Sequence, residues 1–241
     1  MSRPGGVRPT TAMVLAAGLG TRLRPLTLER PKALVEVAGR PLIDHLLDRL
    51  AGAGVTRAVV NVHAFADQLE DHLARRRDLE IIISDEREQL LETGGGLKKA
   101  RSLLGRDPIL VANIDSVWTE PALLDDLIAA WDGARMDDLL LVIARERARG
   151  FDGPGDFFLA HDGRLQHRGA RPSAPVAFMG VHILDPNRID AWPATAHSIF
   201  THWMGFAEAG RLHGVEAAGL WMHVGDPAAR ELAERELAAP A

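Results

Sequence analysis

Strands and helices alternate along this chain at a spacing that leaves few folds open. Thr11–Ala16 is a short apolar run that stops at Ala17-Gly18, the pattern of a buried strand. Ala33–Val37 reads as a short strand ended by Gly39. Pro41 opens a helix with Leu42, Ile43, Leu46, Leu47 and Leu50 on one face, closed near Gly52 or Gly54. Further strands are expected at Ala58–Val62, Glu80–Ser84, Pro108–Ala112 and Asp138–Ala144. Helices are expected at Ala66–Arg76, from Thr93 onward, and at Pro121–Trp131, where Pro121 takes the favoured first position. Strands joined by helical crossovers run parallel, and a parallel sheet needs helices over both faces.

The later part of the chain changes character. Gly155–Ala160, Leu165–Arg168 and Val176–Leu184 read as strands, and Asp162-Gly163 is a hairpin signal. Gly169–Pro175 reads as a loop. A helix at Ser198–Gly210, a strand at Leu220–Val224 and a last helix at Ala228–Leu237 complete the pattern. The expected fold class is therefore α/β: a three-layer α/β/α sandwich whose mostly parallel, Rossmann-like sheet takes antiparallel additions late. Residues 11–241 are expected to form a single domain, after a disordered leader over residues 1–10.

Composition narrows the chemistry. The 241 residues include no cysteine, which excludes disulfides, thiolate catalysis and Cys-ligated metal centres. The net charge of −5 disfavours non-specific nucleic-acid binding, which needs a broad basic surface. No apolar run reaches the ~18 residues of a membrane span, and residues 1–10 lack the apolar stretch of a signal peptide. A cytoplasmic protein without nucleic-acid or membrane partners is expected; composition leaves its oligomeric state open. Positive charge is concentrated locally in Thr21–Lys32, where Arg22, Arg24, Arg30 and Lys32 face only Glu29. Of 28 basic residues only Lys32, Lys98 and Lys99 are lysine. A compact ammonium is not interchangeable with a guanidinium fork, so Lys32 in that loop draws attention first.

The loop Ala16-Ala17-Gly18-Leu19-Gly20-Thr21-Arg22 follows the first strand, where glycines let backbone amides approach phosphate oxygens. Leu23 stands where the dinucleotide fingerprint needs its third glycine, and the Walker spacing is also missing. Asn113-Ile114-Asp115 ends a central strand, placing Asp115 where such sheets bind ligands. A helix-capping role is the alternative for Asp115, and Thr93 is an alternative cap for the helix it opens. The histidines show no metalloprotease pattern; His63, His72, His161 and His213 read as surface or core residues, and Trp192 and Trp203 as core or interface.

The run Leu15–Thr27 (LAAGLGTRLRPLT), with Pro31-Lys32-Ala33-Leu34 after it, resembles the signature of the sugar-1-phosphate nucleotidylyltransferases. Gly39-Arg40-Pro41-Leu42-Ile43, Glu92-Thr93-Gly94-Gly95-Gly96, Asn113-Ile114-Asp115, Phe178-Met179-Gly180-Val181 and Trp221-Met222-His223-Val224-Gly225 are similar to the family in order. The resemblance spans nearly the whole chain after Ala12. It implies a sheet of nucleotide-diphospho-sugar transferase type and nucleotidyl transfer between a nucleoside triphosphate and a sugar 1-phosphate. UTP and N-acetylmuramate 1-phosphate, in cell-wall sugar recycling, are the expected pair. Guanylyl, thymidylyl or cytidylyl transfer to mannose, heptose or glucose 1-phosphate or phosphocholine is the alternative, as is a non-catalytic nucleotide-binding relative.

The attacking phosphate is already an anion, so the implied reaction asks for alignment and charge neutralisation rather than a nucleophilic side chain. By resemblance, Arg22 clamps the β- and γ-phosphates, and Lys32 sits near the α-phosphate and the incoming sugar phosphate. Asp115 holds Mg2+. Leu15, Ala16, Ala17, Gly18, Gly20 and Thr21, with Glu92, Thr93 and Gly94, are expected around the nucleotide; Asn113, Asp156 and Gly180 are expected around the sugar, with a turn as the alternative for Asp156 and a bulge for Gly180. His223 departs from the family, where many relatives carry a second metal-binding aspartate. Magnesium accepts imidazole poorly. Three arrangements are open: His223 acts through a water or on a softer ion, Asp226 substitutes, or, as expected, Asp115 holds the metal with phosphates and water alone, with His223 near the site.

Overall fold

A computed structural model describes residues 7–238. From the amino end, β1 (Thr11–Leu15) leads through a long loop to the short strands β2 (Glu36–Val37) and β3 (Arg40–Pro41) and helix α1 (Leu42–Gly52). Then come β4 (Arg57–Val62), α2 (Ala66–Leu73), β5 (Glu80–Asp85), α3 (Glu92–Ala100), β6 (Ile109–Asn113), β7 (Ser116–Trp118), α4 (Leu123–Ala130) and β8 (Asp138–Ala144). The rest is β9 (Ala148–Arg149), β10 (Phe157–Leu159), β11 (Leu165–His167), β12 (Val176–Leu184), α5 (Phe200–Glu208), β13 (Leu212–Glu216), β14 (Trp221–His223) and α6 (Pro227–Ala238).

A nine-stranded sheet organises the molecule, with β5, β4, β1, β6 and β12 side by side. β8 pairs with the other edge of β12 and carries β13. β1, β4, β5 and β6 pair in parallel. β12 runs antiparallel to both β6 and β8, and the β10–β11 hairpin pairs with its beginning. Alternation along each strand sends side chains to two cores. Ala12, Val14, Val60, Leu110, Ala112, Leu139 and Leu141 meet α1, α2 and α4 on one face. Met13, Val59, Ile109, Val111, Leu140 and Val142 meet α3 and α5 on the other. This is the sandwich the strand–helix alternation implies. No helix among the described residues is long and apolar enough to cross a membrane.

Several expected elements are redrawn by tertiary contacts. Ala33–Val37 is not one strand: Lys32–Leu34 is a 3-10 turn, because Leu34 and Val35 donate their amides to Pro31 and Lys32, and only Glu36–Val37 pairs. The helix expected at Pro121 begins at Leu123. β7 and β9 are too short for alternation to reveal, and β13 is interrupted by Gly214, which leaves room for Leu165. Residues 1–6 of the expected leader lie outside the described residues. Arg8 is tied down, donating to the Ala53 carbonyl and to Asp125 Oδ1 at 2.6 Å.

Two polar features mark the α5 face. Asp138, wholly buried, accepts hydrogen bonds from His182 Nδ1 at 2.7 Å and Trp203 Nε1 at 2.8 Å. His202 stacks on Trp192 with ring centroids 3.9 Å apart, and its Nε2 is buried without a hydrogen-bond partner. Burial, helped by nearby His197, pushes the His202 pKa down to about 4. A histidine held neutral in the fold but free to protonate when unfolded destabilises the fold as pH drops below its ordinary value near 6.5. The urea midpoint is therefore expected to fall between about pH 6.5 and 4, and His202→Phe, which keeps the stacking, is expected to flatten that fall. Identical acid profiles for the two proteins would contradict this.

Candidate active site

The chain leaves β1 toward β4 on one side and returns to β6 on the other, so loops diverge where β1 and β6 end together. Such a switch point opens a crevice at the carboxyl edge of a parallel sheet. A cavity of about 230 Å³ occupies it. Leu15 lines it from the end of β1, Ala17 and Gly18 from the loop that follows, and Lys32 from the end of that loop. Asn61 contributes from β4, and Leu90, Glu92 and Thr93 from the start of α3. Asn113, Ile114 and Asp115 close it from the end of β6.

Its charged end is an ion pair. Lys32 Nζ donates to Asp115 Oδ2 at 2.6 Å, and both side chains are largely buried. His223 Nε2 lies 3.4 Å from the same oxygen. Burial by itself would raise the Asp115 pKa, but the Lys32 ammonium and the His223 imidazole outweigh it and hold the carboxyl well below the usual carboxylate range. His223 reaches this point because β14 pairs with β7, setting His223 opposite Ser116, and Val224 N–H donates to the Asp115 carbonyl. Arg22 is exposed on a 3-10 turn and does not line the cavity; its guanidinium stands beside Gly225, next to His223. The structure thus joins Lys32 and Asp115 directly, with His223 against them and Arg22 at their margin.

The other expected site residues divide. Ala16 is buried behind the cavity, its amide donating to Asn61 Oδ1. Gly20 and Thr21 lie outside the lining. Gly20 has φ +60°, and a side chain there would start 3.0 Å from Lys32 Cβ and Thr27 Cγ2. Thr93 is not a helix cap: Leu91 holds that position, and Thr93 Oγ1 accepts the Ile199 amide at 2.9 Å. The amide of Gly94, a residue expected around the nucleotide, and that of Gly95 both donate to the His197 carbonyl. These glycines let the 195–197 segment press onto α3, since a Gly95 Cβ would stand 2.6 Å from the Thr195 carbonyl oxygen. Asp156 lies outside the cavity lining and accepts the Phe178 amide at 2.9 Å. Gly180, at φ +79°, sits where the β12 register shifts, packed on Asn113 and Ser116.

Among the described residues no group of three His, Asp or Glu side chains could cage a metal. Asp115 nevertheless has Oδ2 engaged by Lys32 and His223 while Oδ1 makes no hydrogen bond within the described residues. One carboxylate with an uncommitted oxygen suits a magnesium ion that takes its remaining ligands from phosphates and water. It does not suit an all-protein site. Asp226 is committed elsewhere, Oδ1 accepting the Ala229 amide at the start of α6.

Asn61 and Leu90 line the cavity without having been anticipated. Asn61 carried a signal, since it is a polar residue inside an otherwise apolar strand. Leu90 carried none, because its position depends on how the segment before α3 folds back.

Residues 12–226 match the MobA-like NTP transferase domain family. The chain is 52% identical over 95% of its length, and 98% of the relative's, to N-acetylmuramate alpha-1-phosphate uridylyltransferase of Caulobacter vibrioides. It is 32% identical over 90% of its length to mannose-1-phosphate guanyltransferase of Aspergillus oryzae, of which it spans 61%. The inositol-1-phosphate CTP transferase of T. maritima superposes with a TM-score of 0.78 at 18% identity, covering 98% of this chain and 99% of the other, which bears on the fold alone. The chain belongs to the MobA-like NTP transferase domain family and, within it, to the sugar-1-phosphate nucleotidyltransferases.

Proposed function

We propose that the protein transfers UMP from UTP to N-acetylmuramate 1-phosphate and releases pyrophosphate, in cytoplasmic recycling of a cell-wall sugar. The 52% identity to the Caulobacter uridylyltransferase, extending over nearly both whole chains, carries this reading. The cavity at the switch point supports it, because Lys32 and Asp115 meet there.

In the proposed reaction a phosphate oxygen of the sugar 1-phosphate attacks the α-phosphorus of UTP. The bond from that phosphorus to the bridging oxygen of the β-phosphate breaks, and pyrophosphate departs with the electron pair. Attacker and leaving group are both anions, so their mutual repulsion is the main barrier the protein can lower. Lys32 leaves Asp115 for the α-phosphate and the incoming sugar phosphate. Arg22, exposed and without an ion-pair partner among the described residues, takes the β- and γ-phosphates with its planar fork. Backbone of Leu15, Ala17 and Gly18 and the Glu92–Thr93 segment receive the nucleoside, and Asn113 faces the sugar. Asp115 would hold a magnesium ion delivered with the triphosphate, and such an ion shields the phosphate charges and steadies the leaving group. His223 orients the Asp115 carboxylate in this scheme rather than binding metal directly.

Four triphosphates assayed against a panel of sugar 1-phosphates test the assignment. UTP with N-acetylmuramate 1-phosphate is expected to show the highest kcat/KM, with the nucleotide sugar identified by mass. A higher value for GTP with mannose 1-phosphate would move the protein to the guanylyl branch, and triphosphate binding without pyrophosphate release would make it non-catalytic.

Lys32→Ala is expected to lower kcat/KM by about 10²–10³-fold, with folding verified by circular dichroism; near-normal turnover would remove Lys32 from the chemistry. Activity is expected to vanish in a chelator and return with magnesium, and full activity in chelator would exclude the metal. The two loop glycines should separate by readout. Gly20→Ala, at positive φ and against Lys32 and Thr27, should lower stability by about 1–2 kcal/mol. A side chain at Gly18 meets nothing within 4 Å. Gly18→Ala should thus keep the wild-type urea midpoint but raise the triphosphate KM.

A further inference from the structure

Behind the cavity, two buried polar side chains join its opposing walls. Asn61 is 3% exposed and Glu86 wholly buried. Asn61 Oδ1 accepts the amides of Ala16 at 2.6 Å and Ala17 at 3.2 Å, fixing the start of the glycine loop. Asn61 Nδ2 donates to Glu86 Oε1 at 2.8 Å, and Glu86 Oε2 accepts the Leu91 amide at 3.1 Å. Glu86 is itself pinned: its amide donates to the Val62 carbonyl, and its own carbonyl accepts from His63 Nδ1 at 2.7 Å. The relay runs from Ala17 on one wall to Leu91, between Leu90 and Glu92 on the other. It therefore spans the gap across which the cavity opens.

We propose that Asn61 and Glu86 are positioning residues that set the width of the nucleoside slot and, through it, the choice of base. The proposal rests on the nucleotidyl-transfer reading above. The walls they join present Ala17, Gly18 and Leu90, small or apolar surface suited to a flat heterocycle, while Lys32 and Asp115 supply the charge that phosphates need. A wall displaced by a few tenths of an ångström changes which base edge can reach the backbone, because hydrogen bonds weaken steeply with misalignment.

The polarity of the relay makes it testable. Glu86 accepts at both oxygens, so Glu86→Gln must set its amide NH2 against either Asn61 Nδ2 or the Leu91 amide. Asn61→Asp sets one carboxylate against another. The double variant reverses the relay and satisfies every member. The carboxylate now at position 61 accepts from Ala16, Ala17 and the side-chain amide now at position 86, whose oxygen accepts from Leu91.

The experiment measures kcat, KM and calorimetric Kd for UTP, CTP, GTP and dTTP in the wild type, both single variants and the double variant. Each single variant is expected to raise KM and Kd for the preferred triphosphate about ten-fold, the effect of one lost buried hydrogen bond. A smaller change in kcat and a narrower preference among the four triphosphates should accompany it, and the double variant should recover both. Folded single variants with wild-type KM and preference overturn the proposal, as does a double variant no better than either single one. Should the single variants fail to fold, Gly96→Ala takes their place. Its new methyl would stand 2.8 Å from Glu86 Oε1 and 3.1 Å from Asn61 Nδ2, and it should shift KM and preference in the same direction. No shift there overturns the proposal. A wild type that binds none of the four triphosphates overturns the nucleotidyl-transfer reading as well, whereas a wild type that binds while its variants are indifferent overturns this inference alone.

Discussion

The ion pair between Lys32 and Asp115 ties together the two halves of the site. One partner ends the loop that leaves β1; the other lies two residues past β6, the strand that returns on its far side. Parallel neighbours whose connections diverge leave a gap at their carboxyl ends, and opposite charges placed there attract across it. The pair is mostly shielded from water, so it is screened little by salt. The same shielding leaves each group costly to strand alone. A ligand that offers anionic oxygens to Lys32 and a cation to Asp115 replaces both contacts at once. A metal-bound triphosphate, the substrate form in the proposed reaction, has that chemistry.

The glycines of the site answer to different physical demands. Gly20 adopts a left-handed conformation with Lys32 and Thr27 against it. Gly94, Gly95 and Gly96 sit in a helix that has no need of glycine for its backbone. They are small because His197, Thr195 and Glu86 press on them from outside. That pressure lets the 195–197 segment cap α3 with the His197 carbonyl, so a distant piece of chain supplies what a local capping side chain would otherwise provide. Gly18 borders the cavity, and a side chain there would meet nothing within 4 Å.

Legibility followed the range of the interactions. Lys32 stood out because lysine is rare in this chain and because it ends a basic loop. Asp115 stood out because it ends a strand of the sheet. Both inferences need only local patterning and the rule that such sheets bind ligands at their carboxyl edge, and the two residues do meet. Asp156 and Gly94 entered through the family resemblance rather than local patterning; Asp156 accepts the Phe178 amide and the Gly94 amide donates to the His197 carbonyl. Their partners lie far along the chain, so no local pattern announces them. Arg22 was legible as a cation of the loop but not as a residue at the margin, beside Gly225.

The sequence by itself determined the alternation of strands and helices, and with it a mostly parallel sheet covered on both faces, because hydrophobic period and turn chemistry are local. It also determined the basic loop and the acidic strand end. Only the tertiary structure decided that His223 stands against Asp115, since that follows from pairing β14 with β7, a three-residue strand stable only in its sheet. Only the tertiary structure joined Asn61 to Glu86, because a buried polar group declares its partner when the chain closes around it and water is no longer available to satisfy it.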